Sequence, residues 1–167
     1  MKMELATQSD LEGIQSLLAE LAKWLHSKNV RQWLSPHPKE SLIREIDAGE
    51  VFVWKTDGVV RATITLTSAR DEYWHEASEP ALYVHRLAVD RAFAGQGLGS
   101  KILSWAEDEL RSREIPLLRL DCMATNEVLR KYYAERGFTF CGISHYAKWD
   151  MDFALFEKPL TSCSPLS

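Results

Sequence analysis

The run from Arg91 to Ser100 carries the densest chemical signal in the chain. Gly95, Gly97 and Gly99 alternate there with Gln96, Leu98 and Ser100, between a β-like run and a helix-like one. Glycines so spaced let the backbone turn tightly and bring N–H groups close to a ligand. A helix start adds unsatisfied donors and the positive end of a dipole, so the segment reads as an anion site suited to phosphate. The ligand is a separate question. A Walker loop needs Gly-Lys-Ser/Thr, and Gly99-Ser100-Lys101 has those residues in the wrong order. A dinucleotide turn is a nearer rival, because Asp121 follows at a suitable distance. The glycines give GxGxG rather than GxGxxG, however, and too few residues remain to complete a nucleotide-binding sheet.

The elements that must hold this turn follow from periodicity. Lys2–Ala6 reads as a short strand. Ser9 and Glu12 form a capping box, and Leu11, Ile14, Leu17, Leu18, Leu21 and Leu25 continue as one helical face. Pro36 and Pro38 introduce a second helix carrying Leu42, Ile43 and Ile46, which Gly49 ends. Val51–Trp54 and Val59–Leu66 form a hairpin through Asp57-Gly58, with Val60, Ala62, Ile64 and Leu66 on the inner face and Arg61, Thr63 and Thr65 on the outer. An acidic loop with Asp71, Glu72, Glu76 and Glu79 surrounds Tyr73 and Trp74, and Ala81–Val89 is the strand feeding the turn.

After the turn, Leu98, Ile102, Ala106 and Leu110 step by four along a helix. Pro116 opens a strand, Leu117–Leu120, ending at Asp121. A helix over Asn126–Arg136 stops at Gly137, and Phe138–Tyr146 and Asp152–Glu157 close the chain. The order β-α-α-β-β-β-α-β-α-β-β predicts an α/β (α+β) fold, a mixed sheet with helices on both faces.

Bulk properties narrow the function classes. At 167 residues the chain fits one domain, expected over residues 1–160 with a frayed tail at 161–167. The net charge of −4 gives no basic footprint for nucleic acid. No run approaches the roughly 20 apolar residues of a membrane span, and Met1-Lys2-Met3-Glu4 lacks the apolar core of a signal peptide. Cys122, Cys141 and Cys163 show no paired spacing and no clustered histidine, which argues against a disulfide scaffold and against a metal, and for the reducing cytoplasm.

Two blocks carry a family resemblance. His85-Arg-Leu-Ala-Val89 followed by Gly95-Gln-Gly97-Leu-Gly99 resembles the acetyl-CoA signature of the GNAT (GCN5-related) N-acetyltransferases, Gln/Arg-x-x-Gly-x-Gly/Ala. Gly97 and Gly99 match, while Ala94 stands where the pattern has Gln or Arg; one side chain is lost and the backbone donors stay. Asn126, Tyr133, Gly137 and Phe138 resemble the family's helix that flanks the thioester. In element order the likeness runs from Met3 to about Leu160.

The resemblance implies a mostly antiparallel sheet and acetyl-CoA as cosubstrate. The backbone of Leu87, Ala88 and Val89 would pair with the pantetheine arm. The pyrophosphate would rest on Gly95, Gln96, Gly97, Leu98, Gly99 and Ser100, with Asn126 and Tyr133 beside the thioester. The acetyl group would pass directly to a primary amine of a small molecule or peptide, so Cys122 need not be a nucleophile.

An alkyl amine is mostly protonated at neutral pH, so a base must take its proton and an acid should protonate the departing thiolate. His85 suits the base by its chemistry. By alternation it shares a face with Tyr83, Leu87 and Val89, and Tyr83 excludes a two-histidine relay on this strand. A structural role for His85 stays open, with Glu79 or water as substitute base. Tyr133 suits the acid, with Tyr132, about 100° round the helix, as the packed aromatic. Trp24, Trp33 and Trp74 with the acidic loop either shape an amine site or are core aromatics and solvated carboxylates; the second is the default. A non-catalytic CoA-binding sensor, a dinucleotide-dependent oxidoreductase and a homodimer also remain open.

Overall fold

The computed structural model describes residues 1–33, 37–75, 77 and 79–160. Pro36, Glu76, Cys163 and the expected tail at 161–167 lie outside the described residues. The elements are β1 (Glu4–Leu5), α1 (Leu11–Ser27), α2 (Lys39–Asp47), β2 (Val51–Thr56), β3 (Val59–Thr67), β4 (Ala81–Val89), α3 (Leu98–Ser112), β5 (Leu117–Met123), α4 (Glu127–Glu135), β6 (Thr139–Tyr146) and β7 (Met151–Pro159). That is the element order the periodicities predict. The strands form one seven-stranded sheet, ordered β1-β2-β3-β4-β5-β7-β6 and mostly antiparallel, with β4 and β5 parallel. A dinucleotide fold needs a largely parallel sheet, so that reading falls.

The chain divides into two compact units. In the first, Met1–Leu66 with His85–Trp105, the β2–β3 hairpin turns at Asp57 and Gly58, whose φ of 52° and 73° suit the twist of the flanking strands. Val51 and Val53 are buried with Ile14, Leu17 and Leu18 of α1 and Leu42 and Ile46 of α2. Phe52, pointing the other way, packs its ring 4.8 Å from that of Trp105 on α3. Both faces of this part of the sheet are thus covered by helices. The cover corrects the reading of Thr63 and Thr65 as outward: they pair with Val53 and Val51, share their face, and are buried. Thr63 satisfies its hydroxyl by donating to the Phe52 carbonyl at 3.1 Å.

The first helix begins differently from the expected Ser9–Glu12 box. The reciprocal cap lies two residues earlier, where the Asp10 carboxylate accepts from the Thr7 N–H at 2.8 Å across a single 3-10 turn, Gln8–Asp10. Lys55 reaches the same carboxylate at 3.0 Å and Glu4 at 2.8 Å. Burial would raise the Asp10 carboxyl, but the Thr7 N–H and the Lys55 ammonium outweigh it and hold the group below its usual range. Asp10→Ala should therefore cost about 1–3 kcal/mol in urea melts at neutral pH. Because the folded value is depressed, this contribution is present above the unfolded carboxyl's value of about 3.9 and disappears as pH falls through the folded one. The wild-type and variant stabilities should converge in acid.

In the second unit, Thr67–Val84 with Ala106–Ser167, β5 pairs with β7 from Leu117 to Met123, and β7 with the outer strand β6. Asp121 lies within β5 instead of at its end, because β7 pairing carries the strand on to Met123. Tyr73 and Trp74 are buried with Ala81, Tyr83, Leu117, Phe153 and Leu155. They are core aromatics, the default reading of that loop. Arg119, also buried, is neutralised by Glu157 at 2.8 Å and donates to the Tyr83 hydroxyl at 3.1 Å.

Candidate active site

The glycine turn expected to hold phosphate is built within the first unit. Asp90 ends β4, accepts from the Ala92 N–H at 2.9 Å and pairs with Arg61 at 2.7 Å, which fixes a short 3-10 turn over Arg91–Phe93. Phe93 lies edge-on to Trp54 at 5.2 Å. The chain then turns through Gly95 and Gly97, with φ of 77° and 71°. A Cβ built on either meets no protein atom within 4 Å, so it is the left-handed backbone, not crowding, that calls for glycine. The α3 ladder starts with the Lys101 N–H donating to the Gly97 carbonyl at 3.1 Å. The N–H groups ahead of Lys101 open the helix, which is the arrangement an anion needs.

The strand feeding the turn is not regular. Arg86 has φ of 50°, unusual for a residue with a side chain, and it breaks the alternation expected along Tyr83, His85, Leu87 and Val89. Its buried guanidinium explains the break: Nη2 donates to the Glu45 carboxylate on α2 and to Thr65 Oγ1 at 3.2 Å. Arg86 Nε is buried without a hydrogen-bond partner among the described residues. Ala88 is in the core, and His85, Leu87 and Val89 are half-buried. Tyr83 is taken up by the core of the second unit, bonded to Arg119 and edge-on to Trp74.

His37 carries no signal in the local sequence. Burial, then the Arg86 charge and His85, hold its imidazole down at about 4 against the opposing pull of Glu45. It is neutral at physiological pH. No local pattern marks it, since its partners lie on α2 and β4.

The residues that the family resemblance would place beside the thioester, Asn126 and Tyr133, belong to the second unit. Asn126 caps α4, its side-chain oxygen accepting from the Leu129 N–H at 3.1 Å, which leaves its amide N–H groups as the donors it can offer a ligand. Of the two adjacent tyrosines Tyr133 is the buried one, packed on Phe138 and Phe156 with centroids at 6.0 and 5.7 Å. Tyr132, expected to be the packed one, is half-buried under the Arg136 guanidinium, 3.2 Å from its ring centroid. Burial, then Cys122 and Asp121, push the Tyr133 phenol well above its ordinary value, so it carries its proton throughout the working range. Cys122 is buried inside β5 with its thiol pushed up to about 12, chiefly by burial, which disqualifies it as a thiolate nucleophile. Glu79 is largely exposed, 3.9 Å from Arg119.

A strand–glycine turn–helix with this strand order defines an acyltransferase scaffold of the acetyltransferase type. The sequence model of the acetyltransferase (GNAT) family matches residues 18–138, and the chain belongs to that family. It is 36% identical over 165 residues to the uncharacterized N-acetyltransferase YesJ of Bacillus subtilis (strain 168), covering 94% of this chain and 89% of that protein. A GNAT-family acetyltransferase from Listeria monocytogenes 4b F2365 superposes with a TM-score of 0.80 at 27% identity, over 95% of this chain and 94% of that one. The yncA protein of Salmonella typhimurium, solved with its cofactor acetyl-CoA, shares the fold with a TM-score of 0.68 at 18% identity, over 100% of this chain and 98% of that one. The protein is an N-acetyltransferase. Among the described residues no helix is long and apolar enough to cross a membrane.

Proposed function

We propose that this enzyme transfers the acetyl group of acetyl-CoA directly to a primary amine of a small molecule or peptide. The observation that carries this reading is the Gly95–Gly97 turn opening α3, a preformed set of backbone donors for pyrophosphate. Leu87, Ala88 and Val89 present backbone to the pantetheine arm. Gly95 to Ser100 hold the phosphates, and Asn126 offers its amide N–H groups near the thioester. The amine nitrogen attacks the thioester carbon and the C–S bond breaks. His85 takes the ammonium proton, directly or through water, and Tyr133 gives its proton to the sulfur. The deciding experiment is release of free coenzyme A from acetyl-CoA across polyamines, arylalkylamines, amino acids and aminoglycosides. Absence of thiol release with every amine would leave coenzyme binding without turnover.

The base has its own test. With His85 as acceptor, kcat/KM rises with pH as the imidazole loses its proton. His37 does not add to that limb, because it is protonated only below about pH 4. His85→Ala should flatten the limb and lower kcat by about 10²-fold or more, with coenzyme A affinity retained. Full activity with the same limb in the variant would pass the role to Glu79 or solvent.

A further inference from the structure

The turn lacks the side chain its pattern expects, because Ala94 occupies the Gln/Arg position. A cation nevertheless stands three residues upstream. The guanidinium carbon of Arg91 lies over the Trp24 ring of α1, 3.8 Å from its centroid. Stacking on an indole engages the face of a guanidinium and leaves the N–H groups at its edge to donate.

The surroundings keep that cation available. Its sequence neighbour Asp90 is committed twice, to the Ala92 N–H and to Arg61, which hold its carboxyl below the usual range. Among the described residues Arg91 has no carboxylate partner, and it is exposed. Its backbone is fixed in the 3-10 turn, where the Ala94 N–H donates to the Arg91 carbonyl at 3.1 Å. The side chain is therefore anchored at both ends, by the turn and by Trp24, and its backbone lies four residues ahead of Gly95.

We propose that Arg91, braced on Trp24, binds a phosphate group of the cosubstrate and replaces the cation missing at Ala94. The proposal rests on the reading of Gly95–Ser100 as the coenzyme site. An arginine–phosphate bond is charge-assisted, so its loss should be visible in affinity.

Calorimetric titration of Arg91→Ala with coenzyme A and with 3′-dephospho-coenzyme A tests it. Affinity for coenzyme A should fall about 10–100-fold, with a shallower dependence on salt than in the wild type. Trp24→Leu, which keeps the cation and removes its brace, should lose less. A loss confined to coenzyme A assigns Arg91 to the 3′-phosphate, and an equal loss with both assigns it to the pyrophosphate. Unchanged affinity in Arg91→Ala overturns the proposal, provided Gly97→Val abolishes binding. If Gly97→Val itself still binds, the coenzyme site is misplaced.

Discussion

Gly97→Val should abolish coenzyme A binding while the protein stays folded. The φ of 71° at Gly97 lies where a β-branched residue is strongly disfavoured. Valine would pull the turn toward negative φ and re-aim the N–H groups that open α3. A side chain that did keep the native angle would project into space no protein atom occupies within 4 Å, where the phosphates would approach in the proposed site. The strain is of order 1–3 kcal/mol, small enough for the fold to survive. Gly58→Val makes a matched control. Gly58 has φ of 73° and equally open space, but it sits in the β2–β3 hairpin of the same unit. It should cost comparable stability and leave affinity alone. Calorimetry on both variants, beside thermal melts, checks the expectation; unchanged affinity in folded Gly97→Val would move the site elsewhere.

The turn was legible because its requirement is local: left-handed backbone wants glycine, and the helix that follows begins within the same few residues. Element order was legible for the same reason, since Leu98, Ile102, Ala106 and Leu110 are all buried as their spacing predicts. Features set by distant partners escaped. Arg86 adopts positive φ because Glu45 and Thr65 capture its side chain, and neither neighbours it in sequence. Thr63 and Thr65 alternate as an outward face should, yet two helices cover them. The choice between Tyr132 and Tyr133 turned on Phe156 of β7, so helical position alone named the reactive candidate but not its packing. Arg91 passed unread because its stacking partner sits on α1.

Tyr133→Phe should lower kcat by about 10²–10⁴-fold if the phenol protonates the leaving sulfur. The variant keeps the ring, hence its contacts with Phe138 and Phe156, so stability should hardly change. Because burial and the neighbouring Asp121 and Cys122 raise the phenol's pKa, the proton is held, not shed, as pH rises. Tyr133 should therefore produce no alkaline limb below the pH at which the protein itself unfolds. Tyr132→Phe is the comparison. Its ring lies under Arg136 and keeps that contact as phenylalanine, so kcat should stay near the wild-type value. Equal effects from the two substitutions would remove Tyr133 from the chemistry.

The outer strand bears on how the molecule behaves in a crowded solution. β6 closes one side of the sheet, and Phe140 and Ile143 on it are 46% and 50% exposed. A long, flat, apolar edge of this kind is a template on which a foreign strand can add, the first step toward fibrils. Here the β6–β7 register slips between Phe140 and Gly142, and Gly142 has φ of 123°, a conformation a side-chain-bearing residue rarely takes. The slip parts the two apolar residues and interrupts the row of outward N–H and C=O groups. An incoming strand finds short stretches of matching pitch instead of one long one. The bulge thus shortens the template that this edge strand offers.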